Sequence, residues 1–484
     1  MSESKGNDAV LLIHGTFSGD DADQGTRWWQ RNSEAYRRLR ETLPSSVSTA
    51  DDWPIFHWGA GPNSERARSS AALRLLEQVE RFEERGQPYH LIGHSHGGSV
   101  IWETLRRAVL LRENMRVDET RRARLRLPHL RSWTTIGTPF MQFEEAPIPF
   151  RDRIPGGNLS RRFEYWVATR ATWLNPKWQA PLIVIVLTIV AFLLLLCPFV
   201  AIPILDNKFN LPEEVLGYLI IGAVFYEFFV LVGSVFLTAL IAAGAERQQF
   251  LREKRAGRQA MVEFGPRWLG LYSTADEAIN SLRATPTLAL KVAHPLVLSE
   301  RVFYSDQILG PARPLFWLHN LMFNWIFVPL TNRFISNQLS RFAQGNDRPG
   351  TIVGSVTTSP VADYAEIPPL PDELTRKLVA QADTAVEGQL PRVRVLLGQV
   401  AQIGLHNLTA EAAGALGDDG LVHCLYYRDD DILKLICHNI CCASDPSIKW
   451  PEDGIGYGLI NWRAESRAHV AKQIEQISLN AASN

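Results

Sequence analysis

Two periodicities of apolar and polar residues take turns along the early part of the chain. Short apolar runs, "AVLLIHG", "WPIFHWG", "YHLIGHS" and "LRSWTTIGTP", read as buried strands. Between them stand "RWWQRNSEAYRRLRETL", "NSERARSSAALRLLEQVERFEERG" and "GGSVIWETLRRAVLLRENM", where apolar side chains return every three or four positions, the period of a helix with one buried face. Strand and helix in alternation predict an α/β fold whose mostly parallel sheet is covered by helices on both faces. Further on, "ILKLICHNICC" and "GLINWRAESRAHVAKQIEQISL" carry the helical period again.

The middle of the chain breaks this pattern. Ala180 to Leu205 contains no charged residue, and Leu216 to Gly244 contains one, Glu227. About 20 apolar residues suffice to cross the hydrocarbon core of a bilayer. The pattern therefore predicts a transmembrane hairpin of two helices, 180–205 and 216–244, joined by the polar link "DNKFNLPEEV". Arg161, Arg162, Arg170 and Lys177 precede the pair, and Arg247, Arg252, Lys254, Arg255 and Arg258 follow it. Basic flanks on both sides place the N- and C-terminal parts in the cytoplasm of an integral membrane protein. Trp166, Trp173 and Trp178 suit an interfacial belt, and Glu227 reads as a neutralised or paired structural carboxyl. Pro314 to Ile335 is aromatic but broken by His319, Asn320, Asn324 and Pro329, so it reads as an interfacial or lid element.

Composition narrows the partners. The chain of 484 residues is 46% hydrophobic and 21% charged, and 50 basic side chains face 51 acidic ones. That balance gives no footprint for nucleic acid or another polyanion. Four of the five cysteines, Cys424, Cys437, Cys441 and Cys442, cluster near His423 and His438. The helical period through them favours a buried apolar face of reduced thiols, so no metal is expected. The N-terminus shows no charged-then-apolar leader, and the first strand is expected within the first ten residues.

The candidate chemistry lies in "GHSHG", Gly93 to Gly97. A five-residue match is weak by itself; its place between a predicted strand and a predicted helix is what matters, because a sharp turn there lifts a serine hydroxyl above the sheet. Gly93 and Gly97 lack side chains where neighbouring backbone passes close. Ser95 needs a base to take its proton and an acid to orient that base. His94 and His96 adjoin Ser95 too closely to be that separately mounted base. The histidines further on are His129, His294, His319, His406, His423 and His438, and chain order alone leaves Asp276, Glu277, Asp306 and Asp363 open as the acid.

The set "LLIHGTF", "GHSHGGS", "TIGTPF", "DEAI" and "LVHCLYY" resembles the lipase-like branch of the α/β-hydrolase superfamily, GxSxG serine hydrolases, here with an inserted hairpin. The resemblance covers the N-terminal segment as far as "TIGTPF" and two short stretches beyond. Carried over by matching segments, it implies Asp276 as acid and His423 as base, with Ser95 as nucleophile. It also implies an oxyanion hole from the backbone N–H of His96 and that of Thr16 or Phe17, with His14 and Gly15 lining the substrate side. The Trp28–Trp29 pair is expected to pack the first helix. The expected domains are residues 1–160, the N-terminal part of the hydrolase core with the nucleophile; 161–260, the membrane insertion; 261–350, the acid segment and helical cap; and 351–484, the C-terminal core with the base.

An anchored hydrolase meets substrates that stay in the bilayer, so the leading expectation is hydrolysis of lipid acyl esters with no cofactor and no metal. The alternatives are an antibacterial lipase effector, a thioesterase, peptidase or other acyl hydrolase, and an inactive membrane scaffold on the same fold.

Overall fold

The four apolar runs read as strands and a fifth strand that the pattern did not mark pair side by side in the computed structural model, which describes residues 8–16, 22–45, 47, 53–58, 63–145, 198, 200–205, 207–209, 212–284, 345–347, 351–361, 366–403, 420–445 and 454–482. The strands are β1 (Ala9–Ile13), β2 (Ile55–Phe56), β3 (Tyr89–His94), β4 (Leu130–Ile136) and β6 (Trp268–Leu271). Their order is β2-β1-β3-β4-β6, and every pairing is parallel. All their carboxyl ends therefore lie along one edge. Two further strands, β5 (Phe140–Glu145) and β7 (Thr351–Thr357), pair as a separate two-stranded sheet.

Side chains alternate across the main sheet and feed two cores. Leu11 and Ile13 of β1, with Tyr89 and Leu91 of β3, pack beneath α2 (Glu65–Arg85) and α3 (His96–Arg112). Val10 and Leu12, with Ile92, pack on the other face against α1 (Glu34–Thr42) and α8 (Asp430–Ser444). β1 and β3 are buried throughout, as a parallel sheet covered on both sides requires. The expected α/β class with a mostly parallel, helix-covered sheet is what the chain forms.

Five more helices complete the described set of named elements: α4 (Glu119–Arg124), α5 (Glu213–Phe264), α6 (Asp372–Ile403), α7 (Val422–Leu425) and α9 (Leu459–Ala482). The chain divides into one unit of Met1–Glu144 with Ala256–Asn484 and a second of Glu145–Arg255. In the first unit the end of α5 buries Ala256, Ala260, Met261 and Phe264. The Phe264 carbonyl accepts from the Trp133 indole at 2.8 Å, and Trp133 stacks on Trp268 at 5.3 Å. A 3-10 turn, Gly265–Arg267, then leads into β6 and brings the chain back beside β4.

The expectation of two membrane spans is corrected. Among the described residues no helix is long and apolar enough to cross a membrane. Of the first expected span, only residues 198 and 200–205 are described. The second is no separate rod with polar ends: 216–244 is part of the 52-residue α5, which continues through the basic stretch and ends buried in the core of the first unit. The placement in the membrane, and the cytoplasmic sidedness read from its flanks, falls with it. The Glu227 side chain, Cys197, Asp306, Asp363, Pro314 to Ile335, and His294, His319 and His406 lie outside the described side chains.

The first helix also starts later than its periodicity suggests. The residues from Arg27 form turns, and α1 opens after Ser33, whose Oγ accepts from Tyr36 N at 3.0 Å and donates to the Trp28 carbonyl at 2.9 Å. The cap thus holds the Trp28–Trp29 turn as well as the helix. Ser33→Ala is expected to destabilise the protein by about 0.5–2 kcal/mol, the usual range for a lost N-cap; an unchanged urea midpoint contradicts this account of the turn.

Candidate active site

Burial is complete along β3 and lifts one residue beyond it, at Ser95. Ser95 stands between β3 and α3 with φ 53° and ψ −131°, a backbone conformation that side-chain-bearing residues avoid. Strain of this kind costs about 1–3 kcal/mol and gathers at functional sites. Surrounding structure fixes it: Ser95 N donates to the Ile136 carbonyl at 2.8 Å, and Gly98 N to the Ser95 carbonyl at 3.1 Å. A Cβ on Gly97 would overlap the Ile13 carbonyl oxygen and stand 2.7 Å from that of His14, and one on Gly93 would stand 2.6 Å from Gly98 N. The turn closes because neither has a side chain.

The loop after β1 crosses the same spot. A Cβ on Gly15 would lie 2.7 Å from Ser95 Cβ and 3.2 Å from its Oγ, so this backbone borders the hydroxyl. Thr16 follows in a turn, and Phe17 lies outside the described residues. At the first turn of α3 the His96 N–H has no acceptor within the helix. His14 is fully buried, its ring 4.7 Å from that of Trp29 and 5.6 Å from that of Trp58, and its Nδ1 lies 2.7 Å from the Gly15 carbonyl. His14 packs the strand end.

Asp276 and His423, 147 residues apart, meet at the same edge. Asp276 follows β6 and caps the helical segment 277–284, its Oδ1 accepting from Ile279 N at 3.0 Å. His423, the second residue of α7, places Nδ1 3.0 Å from both Asp276 oxygens. A carboxylate on Nδ1 makes that nitrogen the protonated one and leaves Nε2 as the basic site. Burial pushes the Asp276 carboxyl up, but His423, the Ile279 N–H and the Tyr426 hydroxyl at 2.8 Å outweigh it and hold it below the ordinary carboxylate value. Gly137, at φ 54° just past β4, lets this pair come in: a Cβ there would stand 2.9 Å from Asp276 Oδ2 and 3.1 Å from His423 Nδ1.

No protein-family model, curated protein or solved structure matches this chain. The site therefore stands on its own geometry.

Ser95 adjoins the pair through Ile136, which takes its N–H, and Gly137, which faces Asp276 and His423. No hydrogen bond joins the Ser95 hydroxyl to His423; such contacts are often long without substrate and tighten in the reacting complex. Of the other acid candidates, Glu277 takes a different position: its two oxygens accept from Val422 N at 3.1 Å and His423 N at 3.3 Å. His129 pairs with Glu83 away from this edge, and His438 lies beside Cys442 on α8. Cys437 and Cys441 are buried there, and burial pushes the Cys441 thiol up to about 12.

Three partners of the pair escaped the sequence reading: Tyr426, Glu277 as a backbone acceptor, and His94. Tyr426 follows His423 by three positions, a helical neighbour spacing that could have flagged it. Its hydroxyl also accepts from Ser273 N at 2.9 Å, tying the acid loop to α7.

Two outcomes follow. Gly97→Ala should destabilise by about 1–3 kcal/mol or more, because backbone carbonyls must move; an unchanged urea midpoint contradicts the close approach. His90, His94 and His96 are each held below the ordinary histidine value, chiefly by burial, His94 at about 3. The folded protein thus keeps them neutral while the unfolded chain takes up protons near pH 6.5, so stability is expected to fall as pH drops from 7 to 5. The lowered Asp8 and Asp276 add their loss only further down, as pH falls through their folded values. A flat urea midpoint between pH 7 and 5 contradicts this.

Proposed function

We propose that the chain is a serine hydrolase of α/β-hydrolase fold that cleaves carboxylic esters through an acyl-enzyme, with Ser95 as nucleophile, His423 as base and Asp276 as acid. The observation that carries the reading is the Asp276–His423 hydrogen bond at the carboxyl edge of a parallel sheet, beside a serine held at φ 53°. The order Ser95, Asp276, His423 is the one this architecture uses.

His423 Nε2 takes the Ser95 proton as Oγ attacks the ester carbonyl. The negative oxygen of the tetrahedral intermediate is received by backbone N–H groups of His96 and of the loop after Gly15, Thr16 or Phe17. His423 returns the proton to the leaving alcohol, then activates water to release the acid. Asp276 fixes the tautomer and stabilises the imidazolium.

Lipid esters were favoured by the expected membrane hairpin. With the two spans corrected, the proposal is for carboxylic esters without that restriction. Thioesters and amides pass through the same intermediate and differ in the leaving group.

With a p-nitrophenyl ester as substrate, Ser95→Ala is expected to lose turnover entirely while keeping the wild-type urea midpoint. His423→Ala should fall as far, and the double variant little further, since the members act as a unit. Asp276→Asn should lose less than either. Full activity in Ser95→Ala would sink the assignment, and an unaffected Asp276→Asn would remove the acid from it.

A further inference from the structure

His94 stands one residue before Ser95, and its Nε2 lies 2.7 Å from the carbonyl oxygen of His423, 329 residues further along the chain. A carbonyl oxygen only accepts, so Nε2 carries the hydrogen in this contact. The two rings lie 4.7 Å apart at 42°. Trp28 meets His94 edge-on at 5.9 Å and Tyr427 does so at 5.0 Å, while Trp28 and Tyr427 stack on each other at 5.2 Å. The imidazole is therefore buried among aromatic rings.

His423 is gripped at three places. Asp276 takes Nδ1, Glu277 takes the backbone N–H, and His94 takes the carbonyl. The first two grips come from adjacent residues after β6, at the start of the helical segment 277–284. They fix the base relative to the acid and say nothing of its distance from the nucleophile. The third comes from the end of β3, whose next residue is Ser95.

We propose that His94 is a positioning residue: its Nε2–H bond to the His423 carbonyl sets the base at its working distance from Ser95. This rests on the reading of Ser95 and His423 as nucleophile and base. In that role His94 donates from Nε2 throughout the cycle and transfers no proton. Its effect falls on the transition state rather than on substrate binding, so it belongs in kcat. Misplacing a reacting group by about 1 Å can lower a rate about 100-fold.

Three full-length proteins test this on a p-nitrophenyl ester: wild type, His94→Phe and His94→Gln, with Ser95→Ala as blank. The glutamine amide nitrogen reaches the place of Nε2 and restores a donor; phenylalanine fills the space without one. The expected result is a fall in kcat of about 100-fold in His94→Phe with KM little changed, and recovery to within about 10-fold of wild type in His94→Gln. Equal kcat in His94→Phe and wild type overturns the proposal, as does a glutamine variant no better than phenylalanine.

A second readout needs neither turnover nor a folded variant. In wild type labelled with 15N-histidine, His94 should show a protonated Nε2 and a bare Nδ1 from pH 6 to 8, and the opposite tautomer overturns the proposal. Wild type no faster than Ser95→Ala would remove the reaction and this role together. The tautomer would then tell where the failure lies: Nε2–H present means that the contact is real but positions no base, and Nε2 bare means that the contact itself is wrong.

Discussion

The site depends on how closely the β3–α3 turn approaches the end of β1. With Gly97 against the Ile13 and His14 carbonyls, the first turn of α3 sits directly on the neighbouring strand, and Ser95 is driven to φ 53°. A larger residue at either glycine would open the turn and let the serine relax. The same approach brings Gly15 to 3.2 Å from Ser95 Oγ, measured from the position of its absent Cβ, which places the loop after β1 beside the hydroxyl. Strain at one residue, held by contacts at several others, is how a rigid sheet edge can present a single side chain beyond its last strand residue.

Around that turn the parallel register gathers segments that are remote in the chain. Ser95 N is bound by the end of β4, Gly137 N by the Leu271 carbonyl at the end of β6, and His94 by the segment of α7. Asp276 enters the interior because three donors meet its oxygens, from His423, Ile279 and Tyr426. An ionised carboxylate buried without them would be driven to take up a proton. Asp276 is thus held in the ionised state that the proposed chemistry requires, and Tyr426 belongs to that as much as His423 does.

Much of this was legible in the chain. The alternation from "AVLLIHG" to "LRSWTTIGTP" specified strands β1 to β4 and the helices α1, α2 and α3 between them, though not the short α4, because continuous buried runs and a long helical period are strong signals. β6 was not: "WLGL" is four residues long and follows α5 after a single 3-10 turn, too short for any period. The apolar run 216–244 misled because hydropathy reports the run and not where its helix stops; α5 carries on to Phe264 and into the core. At the site, the strand-to-helix junction marked Ser95, whereas spacing could not choose among the acids. Asp276 and Glu277 are adjacent in the chain, and only the fold separates them into a carboxylate for the ring and a carboxylate for the backbone. His94 left no signal, since a bond to a backbone carbonyl asks nothing of the sequence at the other end.

The central claim is that Ser95 is a nucleophile made reactive by His423. Incubation of the full-length protein with a fluorophosphonate, followed by intact mass and peptide mapping, tests it most directly. The account predicts a single adduct on Ser95, formed in wild type and lost in His423→Ala. No adduct in wild type, an adduct on another residue, or equal labelling without His423 would contradict it.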